Sequence, residues 1–203
     1  KLIKIKKKLA PRIPHDEQTE EKANLLKKKY KLKSPIIAIA PVTNWKRKNW
    51  PVDNFALLIN KLVEDSPKSK IDIRTVIILG SENEKNECEL LRKKIRTINA
   101  INLSGKVEIK ILHALLKKCL LFIGNDSGLM HLAAAAEINT LGLFGPSKEA
   151  NYRPWGKKSY FIRTKENYDE LVLTKDYNRF ENTSLMESLK VTKVYKKCLM
   201  ILK

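Results

Sequence analysis

Residues 120–144 read LLFIGNDSGLMHLAAAAEINTLGLF. The apolar run Leu120 to Ile123 stops at Gly124 and predicts a buried strand. Leu129 to Glu137 predicts a helix, and its run of Ala133 to Ala136 is small enough for the helix to lie close on a sheet. Thr140 to Phe144 predicts a second strand. Strand, helix and strand at this spacing imply a right-handed crossover between parallel strands.

The same rhythm extends toward the N-terminus. Pro35 to Ala40 is a short apolar run, read as a buried strand. Pro51 to Val63 places Phe55, Leu58, Ile59, Leu62 and Val63 on one helical face, with Pro51 suited to the helix start. Thr75 to Leu79 reads as a strand stopped by Gly80, and 84–96 as a charged helix with Cys88, Leu91 and Ile95 inward. Ala100 to Leu103 is a strand, and 108–118 a helix with Ile111, Leu112, Leu115 and Leu116 inward. The expectation is an α/β fold: a doubly wound, mainly parallel sheet over residues 35–165. Residues 1–34 read as a basic connector and a polar helix (18–31), and 166–203 as a polar loop and a closing amphipathic helix from Ser184 to Lys203. Ligands of such sheets bind beyond the carboxyl ends of the strands. The loops starting at Pro41, Gly80, Gly124 and Gly145 should therefore share one rim.

Those loops hold the unusual residues. In Gly124-Asn125-Asp126-Ser127-Gly128 a strand gives way to a helix within four residues, with Asp126 or Ser127 as candidate N-cap. Gly128 lets a ligand approach the backbone, the helix N-terminus attracts an anion, and His131 falls in the first turn. In Pro41 to Pro51, Thr43 offers a hydroxyl and Lys46, Arg47 and Lys48 offer cations suited to a diphosphate leaving group, while Trp50-Pro51 can pin the loop to the body. Glu82, after the strand ending at Leu79, stands where this fold class commonly binds ribose hydroxyls; Glu84 should already be helical. Beside each of these readings stands a plainer one, a capped turn, a solvated basic loop and a dipole-favoured carboxylate.

Composition narrows the classes. Three cysteines without metal-ligand spacing argue against a disulfide framework or a zinc site and read as reduced core thiols in a cytosolic protein. No apolar stretch approaches the ~18 residues of a spanning helix. Neither GxGxxG nor GxxxxGK[ST] occurs. His113 falls in an amphipathic helix and His15 in the connector, and both read as structural or exposed, not catalytic. The net charge of +19 leaves open a polyanionic partner or a compositional bias toward lysine. Scattered, arginine-poor charge argues against sequence-specific nucleic-acid binding.

These pieces in this order resemble the ADP-heptose:lipopolysaccharide heptosyltransferases, glycosyltransferase family nine. The resemblance rests on Lys48-Asn49-Trp50-Pro51, Leu79-Gly80-Ser81-Glu82, Leu103-Ser104-Gly105-Lys106, Asn125 to Ala135, Leu143 to Ser147, and Met186, Val191 and Val194 in the last segment. It covers residues ~35 to 203. It implies a Rossmann-like domain forming the donor-binding half of a two-domain GT-B enzyme. By resemblance, Thr43 and Lys48 contact the donor phosphates or sugar, Glu82 the ribose, and Val107 the base. Asp126, Ser127, Gly128, Leu129 and His131 line the diphosphate and sugar pocket. The family's catalytic base and acceptor site belong to an N-terminal domain that residues 1–34 do not accommodate, so the chain is expected to be part of a longer protein. The implied reaction is inverting transfer of a sugar, heptose by the resemblance, from an ADP-linked nucleotide sugar to a glycolipid or glycan acceptor, with no cofactor and no metal. The implied setting is cytoplasmic, with peripheral contact to the anionic inner-membrane surface and no nucleic acid. The alternatives, ranked behind it, are another GT-B enzyme such as a nucleotide-sugar 2-epimerase, a non-catalytic nucleotide-sugar or glycolipid-binding module, and a basic nucleic-acid-binding protein.

Overall fold

The computed structural model describes residues 13, 14, 16–66 and 72–203. The basic start of the connector, Lys1 to Arg12, and His15 lie outside the described residues. In chain order the elements are α1 (Glu17–Lys29), β1 (Ile36–Ala40), α2 (Val52–Glu64), β2 (Thr75–Ile78), α3 (Lys85–Lys94), β3 (Ala100–Asn102) and α4 (Ile109–Leu116). They continue with β4 (Leu121–Asn125), α5 (Gly128–Ala135), β5 (Asn139–Phe144), α6 (Glu149–Tyr152), β6 (Ser159–Arg163), α7 (Tyr168–Val172) and α8 (Val191–Ile201).

The strands form one sheet in the order β3-β2-β1-β4-β5-β6, every pairing parallel. This is the doubly wound fold that the alternation of strands and helices predicts. The chain steps outward from β1 to β3, then crosses back to start β4 on the other side of β1. The switch point thus lies between β1 and β4, where Ala40 pairs Gly124. A parallel sheet carries helices on both faces, so its strands must be apolar on both. All five residues of β1 and of β4 are buried accordingly.

Two cores result. One holds Ile37, Ile39, Val76, Ile78, Ile123 and Leu143 under α2, α3 and α8. The other holds Ile36, Ala38, Ile77, Phe122 and Phe144 under α4 and α5, with Leu32 and Leu26 beside them. On α2, Phe55, Leu58, Ile59 and Leu62 face inward, as their spacing requires. The chain of α1 begins at Asp16, whose carboxylate caps the helix by accepting from the Thr19 N–H at 2.9 Å, and its Ala23 is fully buried.

Three expectations about the elements need correction. The polar loop expected from residue 166 holds α7, started by Asn167, whose side chain accepts from the Glu170 N–H at 3.0 Å. β6 was not foreseen: it is an edge strand, half-buried at all five positions, so Ser159 to Arg163 lacks the apolar run that marks the inner strands. The final helix begins at Val191, not Ser184. Residues before it are held in an irregular path because their polar groups bond elsewhere: Ser184 Oγ donates to Asn49 O at 2.6 Å and Leu185 N to Arg47 O at 3.0 Å.

Candidate functional site at the strand switch

Because every strand is parallel, the loops after β1 to β5 leave the same edge of the sheet. The predicted residues fall along that edge in strand order: Val107 after β3, Glu82 after β2, Thr43 and Lys48 after β1, and Asp126 to His131 after β4. Four adjacent strands at their usual spacing span about 14 Å. That is comparable to an extended nucleoside diphosphate.

At the switch point two loops are locked together. Asn125, fully buried, donates from Nδ2 to Pro41 O at 2.7 Å and accepts at Oδ1 from Trp50 N at 3.1 Å. It thereby holds both ends of the 41–51 loop against the end of β4. Lys48, in a short 3-10 turn (Lys46–Lys48), reaches across to Asp126: Nζ lies 2.8 Å from Asp126 O and 3.2 Å from Oδ2. The Asp126 side chain is 7% exposed and that of Lys48 18%. Trp50 pins the loop as expected, donating from Nε1 to Leu189 O at 2.8 Å and meeting Phe55 edge-on at 4.9 Å.

The start of α5 is open. Ser127 is the N-cap residue but its side chain makes no capping bond, and its buried Oγ has no hydrogen-bond partner. Asp126, the other candidate cap, turns to Lys48 instead. The free N–H groups and positive end of α5 therefore stay available. A Cβ on Gly128 would meet no atom within 4 Å, so packing does not require a glycine there; the space beside it is vacant. Leu129 is half-buried against the second core, and His131 is exposed one turn on. A hollow of about 300 Å³ flanks α5 between His131, Leu132 and Trp155; it touches the rim only through Gly128 and His131, and its lining is apolar.

The remaining candidates are placed as follows. Thr43 is buried and spends its hydroxyl within its own loop, donating toward Trp45 O at 2.9 Å and lying 2.9 Å from Asn49 Oδ1. Glu82 lies in the 3-10 turn Glu82–Glu84, exposed, with Oε1 2.7 Å from Lys85 Nζ. Gly105, at φ +69°, lets the β3 loop lie against Glu82: a Cβ there would sit 1.9 Å from Glu82 Oε2. Glu84 closes a capping box by accepting from Ser81 N at 2.7 Å and precedes α3 instead of belonging to it. Val107 is half-buried beside the second core. Among the described residues no group of three or more His, Cys, Asp or Glu could hold a metal ion, and no helix is long and apolar enough to cross a membrane.

Three residues have roles that the sequence did not show. Asn125 was read only as part of a turn; a polar residue closing an apolar strand was the available signal. Arg47, read as a cation for the ligand, is instead 5% exposed and faces residues 177–183, ion-paired with Glu181. Ser147, after β5, has a buried Oγ without a partner.

This fold and rim define a class, a doubly wound parallel α/β domain with a lysine and an uncapped helix N-terminus at its switch point. Residues 4–180 match glycosyltransferase family 9 (heptosyltransferase), and the chain belongs to that family. It is 29% identical over 134 residues to lipooligosaccharide heptosyltransferase 2 of Haemophilus influenzae, covering 64% of this chain and 36% of the relative. In fold it is similar to a family 9 glycosyl transferase from Veillonella parvula (TM-score 0.75, 20% identity, 94% of this chain and 53% of that one). It is likewise similar to Escherichia coli ADP-heptose lipopolysaccharide heptosyltransferase II (TM-score 0.69, 21% identity, 95% and 53%). The chain thus spans about a third of that curated relative and about half of each solved structure.

Proposed function

We propose that this chain is the donor-binding half of an inverting glycosyltransferase of the GT-B type, which transfers heptose from a nucleoside-diphosphate donor, ADP-linked, to a lipopolysaccharide-type acceptor. The observation that carries this is the order of residues along the rim. Base, ribose and diphosphate follow one another in the donor as Val107, Glu82 and the Lys48–α5 region follow one another across the sheet. The family membership supports the reaction class.

In this scheme an acceptor hydroxyl attacks the anomeric carbon as the bond to the diphosphate breaks. Its proton passes to an acidic residue on the other half of the enzyme. Negative charge grows on the leaving diphosphate, and three groups of this chain stabilise it: the Lys48 ammonium, the first-turn N–H groups of α5, and the His131 ring. Asp126 holds Lys48 in place. Ser127 Oγ, buried and unpartnered, donates to a phosphate oxygen. Closure of the two halves excludes water and limits donor hydrolysis.

The test is calorimetric titration with ADP, UDP and GDP. The expected result is micromolar-to-millimolar binding of ADP. Loss of charge-assisted bonds in Lys48→Ala should weaken it about 10- to 100-fold, and Asp126→Ala should weaken it too. Tight binding of a nucleic acid with none of the three diphosphates would overturn the reading.

The second part of the proposal is cytoplasmic work at an anionic bilayer surface, where a lipopolysaccharide-type acceptor would lie. Five lysines occur in residues 27–33, at the end of α1 and just beyond it. Lys28, Lys29, Lys31 and Lys33 are exposed, and Leu25 beside them is 63% exposed. Each such lysine near an anionic surface contributes about 1 kcal/mol. Co-sedimentation with phosphatidylglycerol vesicles, absent with phosphatidylcholine, is the expected outcome; equal recovery with both would refute it.

A further inference from the structure

The three residues Lys46, Arg47 and Lys48 are consecutive, yet they do different things. Lys48 faces the switch point. Arg47 faces away from it, into residues 177–185. Its Nη1 pairs with Glu181 and lies 3.3 Å from Thr183 Oγ1. Its guanidinium stands 5.3 Å from the Tyr177 ring centroid. Its own carbonyl accepts from Leu185 N at 3.0 Å. The neighbours repeat the pattern. Trp45 Nε1 donates to Arg179 O at 3.0 Å, and Ser184 Oγ donates to Asn49 O at 2.6 Å. Beyond this segment Met186 is fully buried, packed so closely on Gly145 that a Cβ there would sit 2.3 Å from its Sδ.

Residues 177–185 thus form a strap across the outside of the 41–51 loop. The loop's inner side is tied to β4 by Asn125, and its outer side is tied by Arg47. We propose that Arg47 is a positioning residue: the strap, gripping Arg47, fixes the 3-10 turn so that Lys48 Nζ points at the start of α5. The proposal rests on the donor-site reading above. Two features favour this over a purely structural anchor. The gripped residue adjoins Lys48 in a single tight turn, so tilting one tilts the other. Moreover, Trp45, 5.9 Å from Lys48 Nζ by its ring centroid, is held by the same strap through its indole N–H. Strap, aromatic face and ammonium are thus joined through one turn.

A double-mutant cycle decides it, read as ADP affinity by calorimetry. Arg47→Ala should weaken ADP binding about tenfold and Glu181→Gln about threefold, the range expected for residues that act through a neighbour. Glu181, 46% exposed at its side chain, tolerates the amide, so the second variant stays folded even if the first does not. In the Lys48→Ala background neither change should weaken ADP further, because the group they position is gone. Thermal midpoints are recorded in parallel, and the loss of affinity in Glu181→Gln should occur without a comparable drop. Equal weakening with and without Lys48 would mean that the strap supports the domain in general and would overturn the proposal, as would unchanged affinity in both variants. Failure of the unaltered protein to bind ADP, UDP or GDP removes the donor reading, and this proposal with it. That result is distinct from normal binding unaffected by Glu181→Gln.

Discussion

Replacing Asn125 by alanine should both destabilise the fold and loosen the site. The side chain is fully buried, and its two hydrogen bonds serve Trp50 N and Pro41 O, which are themselves buried. Alanine leaves that donor and that acceptor without partners. An orphaned buried group costs about 1–3 kcal/mol, so two cost about 2–6 kcal/mol together. A domain of this size is stable by roughly 5–15 kcal/mol, so the loss takes a large share of it. With a urea dependence of about 2–3 kcal/mol per molar, the unfolding midpoint should fall by about 0.7–3 M. The assay is urea unfolding followed by tryptophan fluorescence, with Asn24→Ala on the exposed side of α1 as the control, expected within about 0.5 kcal/mol of the unaltered protein. The freed loop should also bind ADP more weakly, since Lys48 rides on it. A midpoint shift below about 0.3 M would refute the argument that Asn125 holds the two loops together.

Other expectations follow from single features. Gly128→Ala should leave the thermal midpoint unchanged or slightly raised, because its Cβ meets nothing within 4 Å and the unfolded chain loses freedom, yet it should lower ADP affinity; a variant that binds ADP normally would show that no ligand comes close there. The three cysteines are buried, and burial pushes the Cys88 thiol up to about 11 and the Cys119 and Cys198 thiols up to about 12. A thiol reagent at pH 8 should therefore find no reactive sulfur in the native protein and three after denaturation; fast native labelling would contradict the burial. Asp16 is held below its ordinary value by its bonds from Thr19, Glu89 by Arg92, Glu166 by the Ser188 hydroxyl and Glu181 by Arg47. Each contributes stability that is fully present above the unfolded value of about 4 and is lost as pH falls through the lower folded value. The thermal midpoint should accordingly be level above about pH 5 and fall below about pH 4; a midpoint that rises on acidification would refute the assignment.

Much of the fold was legible because its inner strands are buried on both faces. Ile36 to Ala40 and Leu121 to Ile123 must be apolar throughout, and the helices between them must be apolar on one side only. Where one face is open the signal fades, and β6 passed unread for that reason. The switch-point loops were legible because glycine, proline and charge mark turns. What those residues do once folded was less so. Arg47 and Lys48 are neighbours of like charge, and nothing local says that one will be gripped from behind while the other reaches forward. That difference is set by Glu181 and Asp126, which lie 134 and 78 positions away. Thr43 offered a hydroxyl in sequence, but Trp45 and Asn49 of its own loop take it up.

The strap also has a consequence for how the protein is made. The 41–51 loop is synthesised well ahead of its partners: Arg47, Asn49 and Trp50 complete their bonds only with residues 181–189, some 134 to 139 positions later. Pairings of such long sequence separation form late, since the chain must lose the freedom of the intervening segment first. A nascent chain on the ribosome can therefore pair β1 with β2 while its lysine arm is still unset. The proposed grip on an anion would mature only once residues 181–189 have emerged, so a chain stopped short of them would not hold the anion.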